Sequence, residues 1–331
     1  MVRVAVIGGG AFGTALAAAS RRSGADVSVW ALEPEVVADI NGNHRNEIYL
    51  AGVRLDPGIT ATNELAAAVD GADLVLLVPP AQHLRGMSKQ LAGLIDPRTH
   101  VLLCSKGLEQ GTGALMTAVT DETMPGHTVG VLSGPTFAAE LARNKPSAVT
   151  IASSDANQAL KLCALLRSPS FRPYSTDDII GAQIGGAVKN VLAIMTGMAA
   201  GLRMGENMRA AIITRGLAEM VRLGRAMGAR TETLMGLSGL GDLVLTCSSE
   251  KSRNMSLGLE LAKGRAVSEI LGERRSVAEG YHTAPALRQL AERHGVEMAI
   301  TGAVYRVLYE DFPARTAIAG FNERPVQPEW D

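Results

Sequence analysis

The opening stretch MVRVAVIGGGAFG constrains the fold more than any other part of this chain. VRVAVIG is a short β-branched run that ends in glycines, and the Ala-rich segment after it favours a helix. Gly8, Gly10 and Gly13 stand at GxGxxG spacing across that junction. In a strand–turn–helix, the first such glycine permits a tight turn, the second lets backbone approach a pyrophosphate, and the third lets helix and strand pack closely. Ala11 and Phe12 open the expected helix. Its amino end would present free N–H groups and the positive end of the dipole to an anion. A glycine-rich turn without a ligand is the bland alternative. A second strand, ADVSVW at 25–30, follows the helix and completes the context of a dinucleotide site. Glu33, twenty positions past Gly13, then falls where an acidic residue binds the adenosine ribose. It would accept from a 2′-hydroxyl and repel a 2′-phosphate, which favours NAD over NADP. Read blandly, it is a surface glutamate starting a helix beside Pro34.

Further short apolar runs lie at 72–79, 100–106, 128–134 and 147–153, mostly separated by Ala-rich segments. Strands that alternate with helices predict a mostly parallel, doubly wound α/β sheet of Rossmann type covered on both faces. After about residue 178 few β-branched runs remain, and helices are expected at 179–202, 206–227, 255–263, 283–294 and 300–309. The expected organisation is therefore a dinucleotide-binding domain over 1–178 and an all-α substrate domain over 179–331.

Charge and composition exclude several classes of function. The 32 basic and 33 acidic residues nearly cancel, so no long-range field is available to hold nucleic acid or an acidic membrane. Any anion must be bound by a local site. Three cysteines without CxxC spacing point to a reducing compartment rather than a disulfide framework. The six histidines form no HxxxH or HExxH pair, which argues against a zinc site. The apolar part of the N-terminus is too short for a signal peptide, and a cytoplasmic location is expected.

Lys189 is the sole ionisable side chain between Ile179 and Leu202, a run long enough to raise the question of a membrane span. Gln183, Asn190 and five glycines in the same run favour a buried helix of a soluble protein, with no transmembrane segment. A lysine is costly to bury unless it is paired or its pKa moves. Asp242 is the natural counter-charge, and a second cation such as Lys106 would lower the lysine's pKa toward proton transfer. A Lys–Asp pair that merely fixes the fold is the alternative.

Ligands of open α/β sheets lie beyond the carboxyl ends of the strands. VPPAQ (78–82), CSKGLE (104–109) and SGPTFAAE (133–140) fall there. Lys106 reads as a site residue or a solvated loop lysine, and Gly134 with Pro135 as a tight turn into a helix beginning near Thr136. Downstream, GLSGLGDLVLTCSSEKSRN (236–254) is dense in polar residues and glycine. Arg253 between Ser252 and Asn254 suits a phosphate, although either neighbour would serve equally as a helix cap.

The set GGGAFGTALA, NHRNEIYLAGV, SKGLE, SGPTFAAELA, GGAVKNVLAI, GLGDLVLTCSSEKSRN and VAEGYHTAPAL resembles bacterial-type NAD(P)-dependent glycerol-3-phosphate dehydrogenase, in order over nearly the whole chain. The resemblance implies interconversion of glycerol 3-phosphate and dihydroxyacetone phosphate with NAD or NADP, serving phospholipid synthesis. It implies that Lys189 is the proton acceptor in oxidation and the donor in reduction. Lys106, Gly134, Thr136, Asp242, Ser252, Arg253 and Asn254 match substrate-binding positions, with Asn190 and Thr246 supporting that pocket. Phe12, Ala138, Val277 and Glu279 match cofactor-contact positions, which Lys106 and Arg253 also approach. Three departures stand out. Leu32 and Glu33 replace a basic residue common near the end of the second strand, Ala51 replaces a proline in YLAG, and Pro80 a small polar residue in VPPAQ. The first of these agrees with the ribose argument for NAD. A hydroxyacid or ketopantoate reductase would share the helical-domain lysine but has no use for SRN after GLGD. A nucleotide-sensing protein without turnover would need neither. The apolar helices of the second half are compatible with a homodimer.

Overall fold

The computed structural model describes residues 1–273 and 278–322, with side chains placed through residue 320. Two compact units form. One comprises Met1–Ser105 with Met116–Ile179, and the other comprises Lys106–Leu115 with the chain from Ile180 onward.

The first unit is built on an eight-stranded sheet: β1 (Arg3–Ile7), β2 (Asp26–Trp30), β3 (Ile59–Thr62), β4 (Leu74–Leu77), β5 (His100–Leu103), β6 (Val129–Ser133), β7 (Ser147–Ala152) and β8 (Phe171–Thr176). Their order is β3-β2-β1-β4-β5-β6-β7-β8. Neighbours run parallel except β6 and β7, so β7 and β8 are reversed relative to the rest. The helices of this unit are α1 (Ala11–Arg22), α2 (Pro34–Asn43), α3 (Leu65–Val69), α4 (Leu84–Ala92), α5 (Met116–Thr123), α6 (Ala138–Ala142) and α7 (Ala156–Leu166). Val4 to Ile7 of β1 and all of β4 are buried, the near-continuous apolar reading of strands covered on both faces. Each fully buried Leu or Val there contributes about 1.5–3 kcal/mol relative to exposure.

Two of these strands escape the sequence pattern. β3 is four residues long and alternates buried with less buried positions, too little for a periodicity to register. β8 contains Pro173, which argues against a central strand; the strand sits at the sheet edge, where a missing donor is tolerated. Pro173 pairs in register with Val149.

The second unit is helical: α8 (Ile179–Gly201), α9 (Gly205–Ala226), α10 (Thr231–Leu234), a π-helical turn (Leu237–Gly241), α11 (Asp242–Cys247), α12 (Arg253–Ala262), α13 (Val267–Gly272), α14 (Glu279–Arg293), α15 (Ala299–Tyr309) and α16 (Ala314–Asn322). α14 starts four residues before the expected 283, since Pro285 is accommodated inside the helix.

α8 is long and apolar enough to cross a membrane by composition, yet every residue from Gly181 to Ala199 is buried inside the protein. Its glycines explain how. A Cβ on Gly185 would stand 2.3 Å from the Ser238 carbonyl oxygen, and one on Gly197 would stand 2.1 Å from that of Met255. From the other side, a Cβ on Gly258 would stand 2.1 Å from the Ile194 carbonyl oxygen and one on Gly280 would stand 2.5 Å from that of Asn190. The π turn, α12 and α14 therefore press their backbones directly against α8. Beside that close wrap, Asp242 and Thr246 of α11 reach Lys189, and Asn254 of α12 reaches Asn190.

Candidate active site

In the first unit, the three glycines meet three different demands. Gly8 has φ +128°, and a Cβ there would also crowd the Val78 carbonyl oxygen at 3.0 Å. A Cβ on Gly13 would stand 1.9 Å from the Gly8 carbonyl oxygen, so α1 packs against the strand end only without one. Around Gly10 nothing lies within 4 Å of such an atom. The open side of the loop is thus at the second glycine, where a pyrophosphate needs backbone access. Gly10 caps α1 without a side-chain oxygen, Ala11 and Phe12 form its first turn, and that turn carries no acidic residue. These features fit a dinucleotide phosphate.

Glu33 sits past the end of β2 as the N-cap residue of α2, but its side chain makes no capping bond. Instead its Oε1 accepts a hydrogen bond from the Tyr49 hydroxyl at 2.7 Å. At the end of β6, Gly134 has φ +142° and approaches β7 so closely that a Cβ would lie 2.9 Å from Val149 Cα. The helix after it begins at Ala138 with Phe137 as N-cap, so Thr136 lies in the turn before the helix rather than at its start. The hydroxyls of Thr136 and Ser133 are buried there without a protein partner. Orphaned buried polar atoms mark a place where a ligand completes the bonding.

In the second unit, Asp242 opens α11 directly after the π turn and is 1% exposed. Its carboxylate bridges two lysines. Oδ1 accepts from Lys189 Nζ at 2.6 Å and Oδ2 from Lys106 Nζ at 2.6 Å. Lys189 also donates to Thr246 Oγ1 at 3.0 Å, and Thr246, one turn along α11, donates in turn to the Asp242 carbonyl oxygen at 2.6 Å. Two ammonium groups against one carboxylate leave the cluster one positive charge in excess. Burial holds the Lys189 ammonium well below its ordinary value, at about 8, with Asp242 pulling upward and Lys106 pushing further down. A lysine so poised exchanges its proton near neutral pH.

Around this triad the polar residues divide by task. Asn190 donates to the Gly186 carbonyl oxygen at 3.2 Å and to that of Lys106 at 3.5 Å, and accepts from Asn254 at 2.9 Å. Asn254 Oδ1 accepts from the Gly280 N–H at 2.9 Å. These two asparagines tie α8, α12, α14 and the Lys106 segment together. Ser252 caps α12, its Oγ accepting from the Met255 N–H at 3.2 Å. Arg253, the first residue of α12, is exposed, and the first turn of that helix has no acidic residue. Glu279, the first residue of α14, lies within electrostatic reach of Arg253. Val277 lies outside the described residues. Burial raises the Cys247 thiol to about 12 and the Cys163 thiol to about 11, so neither is a nucleophile near neutral pH.

Comparison with known proteins gives this arrangement its context. The model of the NAD-dependent glycerol-3-phosphate dehydrogenase N-terminus matches residues 3–159, and that of the C-terminus matches residues 178–319. The chain belongs to the NAD-dependent glycerol-3-phosphate dehydrogenase family. A glycerol-3-phosphate dehydrogenase [NAD(P)+] of Rhodospirillum rubrum is 53% identical over 98% of this chain and 93% of its own. The corresponding protein of Parvibaculum lavamentivorans is 50% identical over 99% and 98%. Among solved structures, the glycerol-3-phosphate dehydrogenase of Coxiella burnetii superposes with a TM-score of 0.93 at 37% identity, covering 98% of this chain and 99% of its own. A ketopantoate reductase of Ralstonia eutropha shares the fold at a TM-score of 0.61 and 17% identity, covering 97% of this chain and 100% of its own.

For this family member, the sequence singles out Lys189, Asp242 and Lys106, and the structure joins them in one buried ion cluster. In the sequence Ser133 stands out only as part of SGPTFAAE, and Asn46 and Tyr49 only as part of NHRNEIYLAGV, none with a role of its own. Ser133 reads as the last residue of an apolar strand, and only its buried, unpartnered hydroxyl sets it apart. Asn46 and Tyr49 lie in a polar loop, where no local spacing signals a buried role.

Proposed function

We propose that this chain interconverts sn-glycerol 3-phosphate and dihydroxyacetone phosphate by hydride transfer with NAD or NADP, supplying a precursor for phospholipid synthesis. The observation that carries the reading is the buried Lys106–Asp242–Lys189 cluster, one positive charge in excess, on a family framework that includes a dinucleotide loop. The bound nicotinamide supplies or accepts the hydride. Lys189 gives its proton to the carbonyl oxygen as reduction proceeds and takes it back from the hydroxyl in oxidation. Asp242 and Thr246 hold the Lys189 ammonium in one position, and Lys106 lowers its proton affinity and adds positive charge toward a phosphorylated substrate. Arg253, at a helix amino end, binds the phosphate and so orients the carbonyl from a distance. Membership of the family supports assigning Gly134 and Thr136 to substrate binding, and Ala138 and Glu279 to nucleotide binding. A cytoplasmic homodimer completes the reading. The exposed Met204, Met235 and Val244 of the helical unit are apolar surface that pairing would cover.

The direct test is oxidation of NADH and NADPH with dihydroxyacetone phosphate, and with dihydroxyacetone as control. Turnover confined to the phosphate ester is expected, and equal turnover with dihydroxyacetone removes the phosphate site from the account. In the same assay NADH should outperform NADPH, as the Glu33 carboxylate opposes a 2′-phosphate; a preference for NADPH sinks that role of Glu33. Arg253→Ala should raise KM for dihydroxyacetone phosphate by about ten- to a hundredfold, the worth of charge-assisted bonds to a phosphate, with a smaller effect on kcat. An unchanged KM assigns the phosphate elsewhere.

A further inference from the structure

Glu33 and the glycine loop are joined by a turn that no part of the proposed chemistry uses. α2 begins just after Glu33 and ends at His44 in the left-handed conformation (φ 52°), which reverses the chain. The returning segment is fastened at both of its ends. Asn46 is 1% exposed, and its amide donates to the Gly9 carbonyl oxygen at 2.8 Å and to Thr14 Oγ1 at 2.8 Å. Thr14 itself donates to the Gly9 carbonyl oxygen at 3.3 Å. Asn46 Oδ1 accepts from the Tyr49 N–H at 3.2 Å, and the Tyr49 hydroxyl reaches Glu33 Oε1 at 2.7 Å. On the outer side, Asp39 of α2 accepts from the Glu47 N–H at 2.9 Å and from the Asn43 amide at 2.9 Å, which stiffens the turn.

We propose that Asn46 and Tyr49 are positioning residues for the nucleotide, Asn46 setting the phosphate loop and Tyr49 enforcing the choice of NAD over NADP by holding the Glu33 carboxylate. The inference rests on the reading of Glu33 as the ribose acid. A glutamate side chain at a helix start has several rotamers, and an unheld carboxylate swings away from an incoming 2′-phosphate. Discrimination by charge therefore needs a carboxylate that stays in place. The phenol of Tyr49 engages one oxygen and keeps the other as the acceptor for a ribose hydroxyl. The Gly9 carbonyl held by Asn46 lies between the first two glycines of the fingerprint, where it fixes the loop that both nucleotides share. The two residues should thus separate cleanly: Tyr49 acts on selectivity, Asn46 on affinity for either nucleotide.

The experiment is fluorescence titration of NADH and NADPH against the full chain, giving both dissociation constants without turnover. Tyr49→Phe should lower the ratio Kd(NADPH)/Kd(NADH) by about three- to tenfold, the range for losing one hydrogen bond. Glu33→Gln should lower it at least as far, and adding Tyr49→Phe to Glu33→Gln should lower it no further, because the phenol acts through the carboxylate. Asn46→Ala should weaken both nucleotides by a similar factor and leave the ratio as it was. If Glu33→Gln lowers the ratio while Tyr49→Phe leaves it unchanged, the positioning role is overturned and the ribose acid stands. A Tyr49→Phe effect that persists in full in the Glu33→Gln background overturns it too. An unchanged ratio in Glu33→Gln removes the ribose reading and this proposal together.

Discussion

Lys189→Ala is expected to lower kcat by about a hundred- to ten-thousandfold, the usual share of a positioned general acid or base. The Kd for NADH should stay close to that of the unaltered protein, since the lysine belongs to the helical unit and the glycine loop to the sheet unit. Titration of NADH alongside steady-state turnover checks both halves, and near-normal turnover makes the lysine structural. The pH profiles carry an independent signature. The Lys189 ammonium loses its proton near pH 8, against an ordinary lysine value of 10.5. Oxidation of glycerol 3-phosphate needs the neutral amine, so its kcat should rise through about that pH; reduction needs the ammonium and should fall through it. Lys106→Met removes the neighbouring positive charge and leaves Asp242 to one partner. Both effects favour the Lys189 ammonium, so the inflection should move to higher pH. Profiles that share one direction, or an inflection that stays put in Lys106→Met, count against this assignment of the proton. The same depressed value affects stability. Between about 8 and 10.5 the unfolded chain binds the proton more readily, so this group's burial cost diminishes as pH rises through that window.

Asp242→Ala is expected to destabilise the protein by about 3–5 kcal/mol, the cost of leaving buried charge without its partner. The carboxylate is 1% exposed, and the Lys189 and Lys106 side chains on it are 10% and 15% exposed. Removing it sets two ammonium groups against each other in a site with little water. Urea denaturation at pH 7 and pH 9 measures the effect. The loss should shrink at the higher pH, where Lys189 is more readily neutral. Asp242→Asn keeps the shape and one acceptor but not the charge, so it should fold better than the alanine variant and still lose most turnover. A loss below about 1 kcal/mol in Asp242→Ala would make the cluster no stronger than an exposed surface pair and would remove the physical basis for a tuned lysine.

Much of this protein was written locally. GxGxxG after an apolar strand calls for a nucleotide loop, because a turn, a close backbone approach and a helix contact each exclude a Cβ within a few residues of one another. The long run around Lys189 shows a buried helix, because its glycines and single charge make sense only against other protein. Pairing across distance was another matter. Lys106 meets Asp242 over 136 positions of chain and Lys189 meets it over 53, and no periodicity encodes either bond. Asp242 was a reasonable counter-charge for Lys189 on composition alone, but that one carboxylate serves both lysines is a fact of packing. Arg253 and Ser252 were ambiguous between a phosphate site and a helix start; folding makes Ser252 the cap and leaves Arg253 exposed beside it. Pro173 masks β8 in a strand pattern and is tolerated only because β8 lies at the sheet edge, and the Asn46–Tyr49 turn lies in a polar loop without a periodic signal. The sequence by itself determined the nucleotide-loop geometry, the buried helix around Lys189 and the change from alternating strands to helices, since strand burial, helix periodicity and turn chemistry act over a few residues. Tertiary structure alone decided which charges share a partner, because the free energy of a buried ion depends on the atoms brought around it from elsewhere in the chain.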